Sequence, residues 1–441
     1  MKKITDFLTP KEIVVVSVSV LLSGLLVSSI FWSGEQPAHS EYIYLGYDIN
    51  IVTSEDESIG PFDSVYTVYY EKDRPASEKA QVQEILAENV PGLHKAFDRH
   101  HDYYIDNNNH ALGLMTNLKT LNESFGSGET LEISKDLYDI LVLGKNLTIS
   151  TGGAFNMFIG ELSDYWNDRI TADYVDDYRT NYQTMDPDWN PVEKAKVDRL
   201  KSVLPMTEAE INEILTLSVS DGHYYARYNA FKDALPGEIS ITLGGIAKGY
   251  ANDIISELLE EQGLTHGAIY GGGSSLMALG DHDSDEGWDI PVESPTFQAD
   301  FAFDIVRQGV FNMSTSGGYL GVWIPSATVP GDYVLRHHII DPRTGYPSLY
   351  HMEVNISSAD ISNAELDALS TAFICLNEAD GLELRQQYRS VEKELNVAWI
   401  NPVDLNFSTS EITGYVLVRY TAGYEQFMVR RDLPHYEEVA E

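Results

Sequence analysis

The sequence predicts an α+β fold, with short strands and helices of mixed order around one large core, preceded by a single N-terminal transmembrane helix. Three observations carry this. Hydrophobic residues make up 43% and aromatics 11% of the 441 residues, which suits a packed core and not a disordered chain. Periods of 2 and of 3.6 residues follow one another without the regular strand–helix–strand spacing of a doubly wound sheet. One uncharged stretch, residues 13–32, has the roughly 20 residues that a membrane-spanning helix needs.

Lys2, Lys3 and Lys11 precede that stretch, so residues 1–12 are expected in the cytoplasm and the rest of the chain outside it. The length of the apolar run favours a retained anchor over a cleaved signal, and Trp32 falls where an interfacial aromatic belongs. Residues 33–41 read as a polar linker, and residues 42–441 as the folded domain. Within it, "YIYLGYDINIVT" (42–53) alternates like a strand. Residues 77–101 have helical spacing broken at Pro91. Ser134 caps an amphipathic helix over 134–151, and 152–170 is a glycine-rich turn leading into another. The segment 171–206 shows no clear period and reads as a surface loop or insertion. A capped helix (207–217) and strands through "YYARY" (224–228) and "EISITL" (238–243) follow. A glycine turn then enters a helix over 244–263, 266–280 is strand, turn, strand, and helices lie near 363–376 and 378–389.

The charge balance excludes one class of partner. Acidic side chains number 68 against 29 basic ones, for a formal charge of −39. Such a surface repels nucleic-acid phosphates, which bind by exchanging counterions for lysine and arginine. The acidity itself serves solubility. The one cysteine, Cys375, rules out an internal disulfide and a four-cysteine metal site, and its apolar run "STAFICL" marks it as a small buried hydrophobe.

Five short motifs could carry chemistry. "LGGIAKGYA" (243–251) places two glycines before a helix start, with Lys248 in the first turn, an arrangement that can receive an anion. "YGGGSS" (270–275) and "MSTSGGYL" (313–320) add further glycine and hydroxyl clusters, none read as a hairpin, which favours one shared ligand over three unrelated turns. In "AELDALSTAF" (364–373), Asp367 and Thr371 are i and i+4 and share a helix face. A carboxylate and a hydroxyl there are hard oxygen ligands suited to Mg²⁺. Finally, "LRHHIIDPRTGYP" (335–347) sets two histidines before a turn built on Pro342 and Gly345. Adjacent histidines in extended chain point apart, so one metal does not hold both. One of them is suited to act as a general base beside a metal-bound phosphate. Each motif alone is equally well a turn, a capped helix or a loop histidine.

Together, "GGAFN", "LGGIAKGYA", the glycine pair after a strand, "TSGGY", "HIIDPRTG" and "DALSTA" occur in the order found in the ApbE family. The chain resembles these FAD:protein FMN transferases from about Tyr42 to near its C-terminus. Residues 93–122 and 160–169 are similar to the branch of the family found in Gram-positive bacteria. The resemblance implies a single large ApbE-like, T-fold-like catalytic domain. It also implies a Mg²⁺-dependent reaction in which FAD is the substrate, FMN passes to a threonine or serine of an acceptor protein, and AMP leaves. By position, Ala154, Phe155, Asn156, Thr242 and Lys248 would contact the flavin nucleotide, with main chain from Ile340. Leu45 stands where the family has an early methionine. Asp367, Ser370, Thr371 and the main chain of Gly245 would hold the metal, and His338 would be the catalytic base.

Four carboxylates of the family pattern are replaced here, by Asn156, Thr242, Ser274 and Gly318. The acceptor is expected to be a separate exported protein with a D-x-x-[ST]-G-A-[ST]-like motif, since this chain contains none. The enzyme itself is expected at the cell membrane, single-pass, with its catalytic domain outside the cytoplasm. Two other readings of the same motifs are a FAD pyrophosphatase, which would pass FMN to water, and a non-catalytic flavin-binding protein.

Overall fold

The structure, a computed structural model, describes residues 42–46, 49–171, 174–282, 284–295, 301–318, 321–406 and 413–440. The predicted anchor at 13–32 lies outside them, and no helix among the described residues is long and apolar enough to cross a membrane.

Nine strands form one sheet whose spatial order follows the chain. They are β1 (Tyr42–Leu45), β2 (Tyr66–Glu71), β3 (Gly267–Gly271), β4 (Ser275–Ala278), β5 (Phe311–Gly317), β6 (Glu353–Ser358), β7 (Asn396–Asn406), β8 (Thr413–Thr421) and β9 (His435–Val439). Neighbours are antiparallel from β1 to β8. Only β9 runs parallel to its neighbour β8. The antiparallel order allows short turns, and where the chain instead makes an excursion it inserts helices.

The excursion between β2 and β3 holds α1 (Ala76–Phe97), α2 (Lys135–Ser150), α3 (Gly160–Ile170), α4 (Val175–Met185), α5 (Pro191–Ser202) and α6 (Ala247–Glu261). The one between β6 and β7 holds α7 (Asn363–Cys375) and α8 (Glu378–Arg389). Strand side chains of one parity, among them Val68, Ile269, Val354 and Ile356, meet Leu86, Leu141, Ile255 and Phe373 of the helices in the main core. The opposite parity, including Leu276, Met313, Ala398 and Ile400, packs against a three-stranded sheet (Trp288–Glu293, Phe301–Arg307, Met428–Arg430). The result is a three-layered mixed α+β fold, as expected. Helix α7 is central to it: of its residues, only Glu365 and Thr371 keep partial exposure.

Several local expectations need correction. Pro91 does not break α1, which runs unbroken from Ala76 to Phe97. Burial of Leu86, Val90 and Leu93 on one face outweighs the backbone hydrogen bond that proline removes. Residues 42–53 do not form one strand, because Gly46 turns at φ +86° between Tyr42–Leu45 and Ile51–Val52. "EISITL" makes only a single bridge, Ile159 to Ser240. The glycines of "YGGGSS" do form a hairpin: Gly271 pairs with Ser275, and Gly272 and Gly273 take φ +59° and +79° between them. The 171–206 segment is largely helical. Asn190 caps α5 through the Val192 N–H and Pro191 opens it, while Tyr178 of α4 and Val197 of α5 are fully buried. Those few anchors on otherwise polar helices are too sparse to show a period.

Candidate active site

The start of α6 and the middle of α7 come together over β4, with α6 lying on β3 and β4 and α7 chiefly on β5 and β6. Gly249 makes the approach possible, since a Cβ there would stand 2.3 Å from the Asn363 carbonyl oxygen. At this crossing the Gly249 N–H donates to Asp367 Oδ2 at 3.1 Å. Asp253 fastens it further along α6 by accepting the Asn363 and Ala364 amides at 2.8 and 2.9 Å, which caps α7. Burial raises the Asp253 pKa to about 6, while those two amides act in the opposite direction.

Strand β5 completes the cluster through its period of two. Ser314 and Ser316 face α7, with Ser314 Oγ 3.1 Å and Ser316 Oγ 2.8 Å from Ser370 Oγ. Ser316 also lies 3.4 Å from Thr371 Oγ1, and Ser314 donates to Asp367 Oδ1 at 3.5 Å. Thr315 faces the other way and accepts from Asn355. Gly245 belongs to the same group, since a Cβ on it would be 3.0 Å from Thr371 Oγ1 and 3.4 Å from the Phe155 ring. Thus Gly245, Asp367, Ser370, Thr371 and Phe155 are assembled in one place. Ser370 is fully buried, whereas Thr371 is the residue of that group on α7 that opens outward.

Oxygen donors without partners line this region. The Oγ atoms of Ser274 and Ser275 and the Oδ1 of Asn252 are buried and unbonded. Ser275 is paired with Ser314 across β4 and β5, and Asn252 Nδ2 donates to the Ser275 carbonyl. Buried polar atoms are ordinarily satisfied, so three such oxygens beside a carboxylate fit a bound group. The donors are all hard, and no cluster of three His, Cys, Asp or Glu side chains suited to a metal occurs among the described residues. One carboxylate with hydroxyls is a hard-oxygen set of the kind that suits Mg²⁺ and not zinc.

Lys248 projects from the first turn of α6 and donates to the Gly244 carbonyl at 3.3 Å. Its ammonium also acts on His338, a solvent-exposed residue of the loop after the strand Tyr333–Arg336. Desolvation first, and Lys248 second, lower the His338 pKa to about 4. The imidazole is therefore neutral at physiological pH.

The turn behind His338 is held to the end of α7. Asp341 accepts from the Arg343 backbone and guanidinium at 2.9 to 3.0 Å, and Arg343 also donates to the Cys375 carbonyl. Ser348 Oγ donates to the Ile374 carbonyl at 2.6 Å. Ile340 is buried, and its carbonyl accepts the weak Cys375 thiol donor at 3.6 Å. Burial pushes the Cys375 thiol pKa up, in keeping with an inert side chain. His337, which the sequence leaves without a role, is held in place by the fold. It is buried, its Nε2 lies 2.6 Å from the Ser348 carbonyl, and its Nδ1 accepts from the Ile339 amide at 3.2 Å.

The replaced carboxylates have local reasons. Asn156 Nδ2 donates to the Pro205 carbonyl at 2.9 Å, which an aspartate cannot do, and its Oδ1 accepts the Phe158 amide. Its neighbour Ala154 is buried in the same turn. Thr242 keeps a short turn by accepting the Gly244 amide at 3.4 Å and is tied to Met157 through its own amide. At Gly318 any Cβ would stand 2.8 Å from the His337 ring. Leu45 lies apart, in the helix-side core on β1, two strands from β3.

Sequence reasoning did not single out Asn252, Asp253 or Asn363. Their signal was a polar pair in "GYANDII" on a helix face that otherwise carries Ala251 and Ile255, and an asparagine directly after the Ser362 cap.

Known proteins give an independent view of this assembly. Over residues 63–394 the chain matches the model of the ApbE family. The FAD:protein FMN transferase of Vibrio cholerae is 26% identical over 180 residues, which is 41% of this chain and about half, 51%, of that protein. The enzyme of the same name from Treponema pallidum is 26% identical over 62% of this chain and 69% of its own length. Among solved structures, the ApbE protein of Thermotoga maritima superposes with a TM-score of 0.55 at 19% identity, covering 81% of this chain and 94% of that one. The V. cholerae flavin transferase ApbE gives 0.53 at 16% identity, over 89% and 100%. These structural likenesses establish a shared fold, and the family match over most of the chain establishes kinship. The chain belongs to the ApbE family.

Proposed function

We propose that the protein is a Mg²⁺-dependent FAD:protein FMN transferase, held at the membrane by residues 13–32 with its folded domain outside the cytoplasm. The observation that carries this is the convergence of Asp367, Ser370 and Thr371 of α7 with Gly245 in the turn before α6, and Lys248 near a neutral His338.

In this reading the FAD pyrophosphate lies against the start of α6, which no side chain caps. Its positive dipole end and Lys248 offset the phosphate charge. Asp367, the Ser370 and Thr371 hydroxyls and the Gly245 carbonyl would hold Mg²⁺, which when bound would supply further charge neutralisation on the pyrophosphate. The flavin side packs along Phe155 and the 154–156 turn, with main chain from Ile340. His338 takes the proton of the acceptor threonine or serine hydroxyl as that oxygen bonds to the FMN phosphorus. The pyrophosphate P–O bond breaks and AMP departs with its electron pair. A pyrophosphate brought beside the imidazole favours its charged form and so strengthens it as a base.

The test is incubation of the full chain with FAD, Mg²⁺ and a fragment bearing the acceptor motif. Flavin fluorescence on the denatured fragment supports transfer. Free FMN and AMP without labelling would replace transfer by hydrolysis, and intact bound FAD would remove both enzymatic readings.

A further inference from the structure

The helical insertion α4–α5 grips the histidine loop on both of its flanks. On the leading side, Arg336 is the last residue of the strand Tyr333–Arg336 and directly precedes His337 and His338. Its Nε donates to Asp186 Oδ2 at 2.8 Å and its Nη2 to Asp188, both just after α4. Tyr178 of α4 donates to the same Asp186 oxygen at 2.6 Å. Arg336 is 1% exposed and Asp186 fully buried. The guanidinium also lies over the rings of Trp166 and Tyr346, at 5.5 and 5.6 Å. On the trailing side, Trp166 Nε1 donates to the Gly345 carbonyl at 2.9 Å. Gly345 itself turns at φ +81° so close to α5 that a Cβ would meet Val197 at 3.0 Å.

A buried ion pair is a poor way to add stability, because desolvation of both charges offsets most of their attraction, and apolar residues of equal volume serve as well. What the planar guanidinium supplies is direction. With its fork on Asp186 and its faces on two aromatic rings, Arg336 has one allowed position, and so does the backbone that carries His338. We propose that Arg336 and Asp186 are positioning residues, through which the α4–α5 insertion sets the placement of the His338 imidazole. The inference rests on the transferase reading for its kinetic consequence, but not for its structural one.

Its test uses the full chain and the double variant Arg336→Met with Asp186→Leu, which removes both charges at similar volume. Melting is expected to fall modestly, because the buried Tyr178 hydroxyl loses its acceptor, and FAD affinity to be unchanged. The rate of acceptor labelling at saturating FAD should fall by roughly 10–100-fold, the order that a misplacement of about 1 Å costs. Arg336→Lys, which keeps the charge but not the fork, should recover part of that loss. With selectively ¹³Cε1-labelled histidine, the His338 resonance, assigned through His338→Gln, should shift or broaden in the double variant. If that variant does not fold, the isosteric Asp186→Asn takes its place with the same readouts. An unmoved His338 resonance, or a variant that melts earlier yet labels at the wild-type rate, overturns the proposal. A wild type that labels nothing would instead defeat the transferase reading, and the His338 resonance alone would then decide for or against the brace.

Discussion

The rings of His337 and His338 lie 81° apart with centroids separated by 6.5 Å, and the two adjacent residues occupy opposite environments. His337 is buried between Gly318 and the Ser348 carbonyl, whereas His338 is exposed and feels the charge of Lys248. Extended backbone sends neighbouring side chains to opposite sides, so one residue anchors the loop and the other is free for chemistry.

For His338, replacement by alanine should lower acceptor labelling by about 10²–10⁴-fold, the usual contribution of a general base, while FAD still binds. Because its pKa is lowered to about 4, the imidazole stays neutral from alkaline pH down to about pH 5. At subsaturating FAD, where the rate reports the free enzyme, labelling should therefore not show an acid limb near the ordinary histidine pKa. A rate profile that halves near pH 6.5 and is unchanged in His338→Ala would contradict both points.

His337 predicts an effect on stability. Its folded-state pKa is lowered to about 3, first by burial, against about 6.5 when unfolded. The neutral ring's contribution is then complete above pH 6.5 and is lost as pH falls toward 3, at about 1.4 kcal/mol per pH unit. Denaturation midpoints between pH 7 and 5 should drop in the wild type, and His337→Gln should lessen that dependence at some cost in stability at neutral pH.

Asp367→Asn keeps an acceptor for the Gly249 amide but removes the charge of the proposed metal site. The Mg²⁺ concentration giving half-maximal labelling should rise by at least the 10–100-fold that loss of an outer-shell partner ordinarily costs. The chain should still fold and elute normally. An unaltered Mg²⁺ titration would exclude Asp367 as a ligand.

Restoring the family aspartate in Gly318→Asp should destabilise this chain by about 1–3 kcal/mol, because the new Cβ overlaps the His337 ring. With His337→Ala in the same chain, the combined cost should be less than the sum of the two single costs, as contacting sites are not additive. Additive costs in chemical denaturation would show that the ring does not set the requirement for glycine.

Much of this protein was legible in its sequence because the information is local. Ser134, Thr207 and Ser362 cap the helices that follow them, and Asp367 with Thr371 share a face simply because a helix repeats every 3.6 residues. Order along the chain even sets the sheet, since antiparallel neighbours follow one another from β1 to β8. Only the tertiary structure decided which motifs meet. The bond from Gly249 to Asp367 joins residues 118 apart in the chain, and the one from Arg336 to Asp186 spans 150. Such contacts depend on helices crossing at a glycine and on a few buried anchors in polar segments, and neither leaves a period in the sequence. His337 shows the same limit, since its role is set by the glycine it covers and the carbonyl it reaches once the loop is folded.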